Sequence, residues 1–196
     1  MLHTKSSLRK VYGDLKGMMR FEEFHELYKH AKKVKKGIIV EVGSYRGMST
    51  VALSLGARKN VKVFAVDPHE TFTGVLGGKF GEEDRAEFYK TMLKTGAYKN
   101  VRLINLTSEV ITPNWQEKVG MIFIDGDHSY KGVKRDFDCW EPNLLPECIV
   151  AFDDTDRKGL GPEKLTKELV NRKVLKTEGD TGKVSFFRLA NRSPKK

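Results

Sequence analysis

Apolar positions along the chain follow two alternating patterns, short unbroken runs and runs spaced at three and four residues. Phe21, Phe24, Leu27, Tyr28, Ala31 and Val34 fall on one face of a helix predicted over residues 19–35, and Gly37 stops it. The run IIVEV at 38–42 then reads as a parallel strand, since a strand covered on both faces is apolar throughout. After a Gly-containing turn, Met48, Val51, Ala52 and Leu55 return to helical spacing. The alternation continues with strands predicted over 61–66, 101–104, 121–124 and 148–152 and helices over 82–95 and 162–171. Tyr130, Val133, Phe137 and Trp140 mark a further helix between the last two of those strands. Residues 173–177 and 184–188 flank the polar, Gly-containing stretch 178–182, which signals a hairpin.

This order predicts an α/β fold: an open, mostly parallel, seven-stranded sheet with helices on both faces, closed by a C-terminal antiparallel hairpin. The 196 residues suit a single domain that buries roughly 70% of the surface of its unfolded chain. It divides into an N-terminal helical segment (1–36), a core (37–190) and a basic tail (191–196).

Composition is that of a soluble globular chain, with 39% hydrophobic and 32% charged residues. No apolar run approaches the roughly 20 residues of a membrane span, and the MLHTK start lacks the apolar stretch of a secretory signal, so the cytoplasm is the expected location. Cys139 and Cys148 form no CxxC pair and are expected as buried thiols. The net charge of +10 is unusual, and much of it sits at Lys29, Lys32, Lys33, Lys35 and Lys36 and in the Lys195–Lys196 tail. Such a cluster suits either a polyanion surface or a solvated helix end favoured by the helix dipole.

The chemistry concentrates where strands end. FIDGDH at 123–128 and FDD at 152–154 are short apolar strands that finish in acidic residues. In a parallel α/β sheet those ends form the ligand-binding rim. Asp125, Asp153, Asp154 and His128 are therefore candidates for a divalent cation site with an adjacent base, although Asp and Gly are also favoured turn residues. Upstream, EVGSYRG at 41–47 links a strand to a helix, where a nucleotide-type ligand meets backbone N–H groups, and Gly43 and Gly47 permit close approach. Tyr45 stands where a dinucleotide fingerprint needs its second glycine, which disfavours an NAD enzyme. Asp67, ending the second strand, is placed to accept hydrogen bonds from ribose hydroxyls.

With these motifs in this order, residues 37–155 resemble the class I S-adenosylmethionine-dependent methyltransferases, whose fold is Rossmann-like. The nearest resemblance is to metal-dependent O-methyltransferases of the catechol and macrolide-sugar types. It implies that Glu41, Gly43, Ser44, Tyr45, Gly47 and Ser49 border the methionine part of the cofactor, that Asp67 holds the ribose, and that Ser108 and Glu109 border the adenine. Leu106 departs from a glycine common in the family. The resemblance assigns Asp125, Asp153 and Asp154 as ligands of a divalent cation, Mg²⁺ above all, and places His128 where sugar-modifying relatives carry a histidine and catechol enzymes a lysine. The implied reaction moves a methyl group to a hydroxyl of a small molecule, a sugar or glycosylated metabolite above all, with Asp125 and His128 at the reacting hydroxyl. A cation lowers the hydroxyl pKa and an imidazole accepts the proton.

Two alternatives stand beside this reading. Positive charge suits a nucleic-acid methyltransferase, but amino-methylating members carry Asn or Asp followed by Pro-Pro and an aromatic where this chain has IDGD at 124–127. A binding module that keeps the cofactor fold without catalysis is the other, and a cluster of unpaired carboxylates speaks against it. The Gly-rich stretch 72–81 is a candidate lid, with Lys79, Phe80 and Arg85 as candidate substrate contacts. Acceptor choice is expected in that lid, the N-terminal helices and the loop near 156–162. Homo-oligomerisation is left open.

Overall fold

The computed structural model describes residues 3–190, so the anticipated basic tail lies outside the described residues. In chain order the elements are α1 (Lys5–Gly13), α2 (Phe21–Lys33), β1 (Ile38–Val42), α3 (Met48–Gly56), β2 (Val63–Val66), β3 (Phe72–Thr73), β4 (Lys79–Phe80) and α4 (Glu82–Thr95). There follow β5 (Val101–Ile104), α5 (Ser108–Ile111), β6 (Val119–Ile124), α6 (Tyr130–Trp140), β7 (Leu144–Phe152), α7 (Gly161–Asn171), β8 (Leu175–Thr181) and β9 (Val184–Leu189).

Seven strands form one sheet in the order β5-β2-β1-β6-β7-β9-β8. Pairing is parallel from β5 through β7, and β9 runs antiparallel to both β7 and β8. Every residue of β1 is buried, because apolar layers cover both faces of the sheet. One layer packs Leu27, Ala31, Val51 and Leu53 of α2 and α3 against Ile39, Ala65, Met121 and Phe123. The other packs Val133, Phe137 and Trp140 of α6 and Leu165 of α7 against Val40, Ile122, Val150 and Phe152. The strand order reverses between β1 and β6, and such a switch point opens a crevice at the carboxyl ends of the strands. Among the described residues no helix is long and apolar enough to cross a membrane.

The predicted elements recur with shifted edges, and three differences bear on the site. α1 is an additional helix: Thr4 caps it by accepting from Ser7 N at 3.1 Å, and it buries only Leu8, too little periodicity to betray it. The Gly-rich lid stretch holds a small antiparallel pair, β3 with β4, in which Phe72 and Phe80 stack at 6.2 Å. The stretch expected as the hairpin loop, 178–182, is mostly strand: β8 runs to Thr181 with an irregularity between Thr177 and Gly179, so the turn is Gly182 and Lys183. Cys148 is buried and Cys139 half-buried, both as free thiols. The lysines at the end of α2 are exposed, and Lys32 lies over the Tyr28 ring.

Gly43 follows β1 with φ +82°, and a Cβ there would run into the backbone carbonyl of Asp125. Left-handed backbone costs a residue bearing a Cβ about 1–2 kcal/mol before any clash is counted. Gly43→Ala is therefore expected to lower unfolding free energy by at least that amount, read as an earlier urea midpoint; an unchanged midpoint would contradict the close approach.

Candidate active site

The crevice at the carboxyl edge of the sheet is a cavity of about 990 Å³. Its wall includes Gly43, Ser44, Tyr45 and Ser49 of the glycine turn, Asp67 after β2 and Ser108 of α5, together with Asp125, His128, Asp153 and Asp154 after β6 and β7. Glu41, Gly47 and Glu109 lie off that wall. Glu41 is fully buried beneath the turn, Gly47 starts α3 with φ +86°, and Glu109 points to Arg135 at 3.4 Å. Within the candidate lid Phe80 reaches the cavity, whereas Lys79 and Arg85 do not line it; Arg85 pairs with Glu82 at 3.6 Å. Met18, Val75 and Leu76, all exposed, and the loop residues Asp156 and Arg157 also line the cavity.

At the glycine-turn end of the cavity, Asp67 folds the turn around itself. Its Oδ2 accepts from Ser44 N at 2.8 Å and Tyr45 N at 2.9 Å, and its Oδ1 accepts from His69 N at 2.9 Å. His69 locks the same corner from behind. Its Nε2 donates to the Tyr45 carbonyl at 2.8 Å, which leaves Nδ1 as acceptor for Asn105 Nδ2 at 3.2 Å. The turn is thus held in place by side chains rather than by glycine freedom alone.

Glu41 accepts a short hydrogen bond from the Thr50 hydroxyl through Oε2, while its Oε1 has no partner. Burial pushes this carboxyl up to about 8, against the opposing hydrogen bonds of Ser49 and Thr50. It is a largely protonated group at neutral pH. At the other end Asp136, also on the cavity wall, is buried and raised for the same reason, beside Ser108, which takes a hydrogen bond from Trp140 Nε1 at 3.2 Å.

The acidic strand ends do converge. Asp125, His128 and Asp153 each present one ligand-type atom, all within 4.8 Å of one another. Asp154 stands behind the imidazole, with φ +51°: its Oδ2 lies 3.2 Å from His128 Nδ1, while His128 Nε2 lies 3.2 Å from Asp125 Oδ1. A carboxylate stands at each ring nitrogen, an arrangement that favours the imidazolium form. Burial works to lower the His128 pKa, but Asp125 and Asp154 outweigh it and hold it up at about 10. Burial likewise raises Asp154, and His128 and Lys183 overcome it, holding Asp154 at about 2.

Lys183 is a member of the cluster that the sequence reading missed. Its Nζ sits 2.5 Å from Asp153 Oδ2 and 3.4 Å from Asp154 Oδ1. Burial would lower its pKa, yet the surrounding carboxylates, Asp153 first and then Asp125, raise it. One signal was available: a strand antiparallel to β7 must begin where β7 ends, so residues just before β9 lie beside Asp153. His69 and Asp136 carried no comparable signal, since only the folded turn and α6 bring them to the cavity.

Residues 40–155 match the protein family described as a methyltransferase domain. Among curated proteins, one from Sinorhizobium fredii described as uncharacterized protein y4gI is 31% identical over 133 residues. That alignment takes in 65% of this chain but only 14% of the relative, so the chain spans a small part of that protein's length. Among solved structures, an O-methyltransferase from Bacillus cereus in complex with S-adenosylhomocysteine superposes with a TM-score of 0.71 at 14% identity, over 94% of this chain and 90% of that one. The O-methyltransferase TomG of tomaymycin synthesis from Streptomyces achromogenes, in complex with S-adenosylmethionine, gives 0.67 at 12% identity, over 95% and 89%. The Podospora anserina methyltransferase PaMTH1, bound to S-adenosylhomocysteine, gives 0.69 at 16% identity, over 95% and 86%. These superpositions establish a shared fold, and with the family match across most of the core the chain belongs to the methyltransferase domain family.

Proposed function

We propose that the protein is an S-adenosylmethionine-dependent O-methyltransferase acting on a hydroxyl of a small molecule, with a divalent cation at the acidic cluster and His128 as general base. The observation that carries this reading is a single cavity whose wall joins the clamped glycine turn to the convergent acidic strand ends. The residues fit both groups. Gly43 packs its backbone directly against the Asp125 carbonyl and lines the cavity, which brings the glycine turn beside the acidic strand end, and Asp153 Oδ1 is a buried oxygen with no hydrogen-bond partner. Oxygen donors beside one imidazole suit Mg²⁺ or Mn²⁺.

In this reading Gly43, Ser44, Tyr45 and Ser49 seat the methionine part of the cofactor and Asp67 the ribose, with Ser108 toward the adenine. Asp67 has a second task here, since it fixes the turn through the Ser44 and Tyr45 amides. S-adenosylmethionine supplies, when bound, an electrophilic sulfonium methyl group. Asp125 and Asp153 are the groups that hold a cation, and Asp154 orients His128 through Nδ1. A divalent cation supplies, when bound, positive charge that lowers the pKa of a neighbouring hydroxyl and offsets the carboxylates that keep His128 protonated. His128, once its own Nε2 proton has passed to solvent, would take the hydroxyl proton at Nε2, and no covalent enzyme intermediate is needed. The grouping of His128 with Asp125 and Asp153 supports a second reading, in which the imidazole is itself a ligand.

Asp67→Ala is expected to weaken S-adenosylmethionine binding roughly 10–100-fold, from the ~1.5–3 kcal/mol of a hydrogen bond to a charged group. Calorimetry measures it, and an unaltered affinity would remove Asp67 from the cofactor site. His128→Ala is expected to slow S-adenosylhomocysteine release on an accepted hydroxylated substrate by ~10²–10⁴-fold. Affinity for cofactor should stay near wild type and Mn²⁺ should bind no more weakly if His128 is the base, whereas loss of Mn²⁺ binding would assign it as a ligand and an unchanged rate would exclude both roles. With the cation chelated, the base keeps its proton until about pH 10, so any residual wild-type rate should rise with pH toward that value.

A further inference from the structure

We infer that Lys183 is a resident cation of the acidic cluster, seated at Asp153 so that a divalent ion binds against the charge of its ammonium group. The inference rests on the reading that Asp125 and Asp153 hold a cation, and it concerns the like charge that cation must overcome.

The geometry is built rather than incidental. Lys183 occupies the two-residue turn between β8 and β9, and three contacts pin that turn. The Lys183 N–H donates to Glu23 Oε1 at 3.2 Å. The Lys183 carbonyl accepts from Thr155 N at 3.0 Å and from Thr155 Oγ1 at 3.1 Å. Gly182, at φ +61°, backs directly onto Glu23 and Arg20, where a Cβ would have no room. Glu23 is itself buried and held by Arg20, whose Nη2 lies 2.8 Å from its Oε1. The turn therefore delivers the Lys183 side chain, which is only 20% exposed, into the cluster.

Charge completes the argument. Asp125, Asp153 and Asp154 face His128, Lys183 and, through Asp154 at 3.4 Å, Arg157. Counted as formal charges, three acidic side chains meet three basic ones, so the cluster carries its own counter-cations before any ion arrives. A divalent ion then gains little attraction unless one of the resident cations yields. Lys183 is the cation on the ligand Asp153, and it uses Oδ2 alone; the other oxygen, Oδ1, is buried and without a hydrogen-bond partner. Asp153 thus offers one oxygen to the tethered ammonium and one to an incoming ion, and the two cations repel across a single carboxylate.

The experiment is an electron paramagnetic resonance titration of Mn²⁺ into the full chain with S-adenosylhomocysteine present. It compares the wild type with Lys183→Met, Lys183→Arg and the double variant Lys183→Met/Asp153→Asn, with circular dichroism to verify folding. Lys183→Met is expected to bind one Mn²⁺ per chain at least ~10-fold more tightly than wild type, because a like charge has been removed from the site. Lys183→Arg should stay near wild type, and the double variant should lose the gain. Lys183→Gln, which keeps a polar head, serves the same comparison if Lys183→Met does not fold. Mn²⁺ should also raise the melting temperature of the neutral variants more than that of wild type. Equal or weaker Mn²⁺ binding by the neutral variants, with binding lost only in the double variant, overturns the role of Lys183 and leaves the cation reading standing. No binding by any variant overturns both.

Discussion

The hydrogen-bond ladder of the parallel sheet runs one residue past each strand, and that last rung fixes the site. Gly43 N donates to Val66 O at 3.0 Å, Asp67 N to Ile104 O at 3.0 Å, Asp125 N to Val42 O at 2.8 Å and Asp153 N to Ile124 O at 3.1 Å. Each of these residues begins a loop, yet its backbone is still held by the strand beside it. The apolar layers on both faces of the sheet keep those strands in register. A rim built on such ladder ends is more precise than one built on free loops, which is what charged groups 3 Å apart require.

Electrostatics decides what the rim can tolerate. Buried carboxylates are costly unless neutralised, paired or hydrogen-bonded. The chain uses all three solutions within one cavity: Glu41 is pushed toward its protonated form, Asp67 takes backbone amides, and Asp153 and Asp154 take Lys183 and His128. The protein's own cations thereby keep the acidic cluster stable in the absence of any ion. In the proposed function the same cations set the terms on which an ion would enter and on which His128 would give up its proton.

How far the sequence announced this depends on the range of the interactions involved. β1, α4 and β5 were legible to the residue because their patterns are local, a five-residue apolar run or a capped helical periodicity between glycines. Asp125 and Asp153 were legible because each directly ends an apolar strand. β8 was misread because Glu178, Gly179, Asp180 and Thr181 look like a turn, and only pairing with β9 carries the strand through the bulge at Gly179. That misreading hid Lys183, whose place depends on the return of β9 alongside β7, more than thirty residues from the nearest strand of the core motif by sequence logic alone. The clamp of Asp67 on the turn, and the position of Asp154 behind the imidazole rather than in the tightest group, are likewise matters of loop geometry that spacing does not encode.

The central claim is that a methyl donor and a cation sit side by side on this rim. Its most direct measurement is the ¹³C relaxation of S-adenosylmethionine labelled at the sulfonium methyl and bound to the protein, with saturating Mn²⁺ compared against Mg²⁺. The account predicts strong paramagnetic broadening of the methyl signal with Mn²⁺, lost in Asp153→Asn. A bound cofactor whose methyl signal is the same with either ion would contradict it.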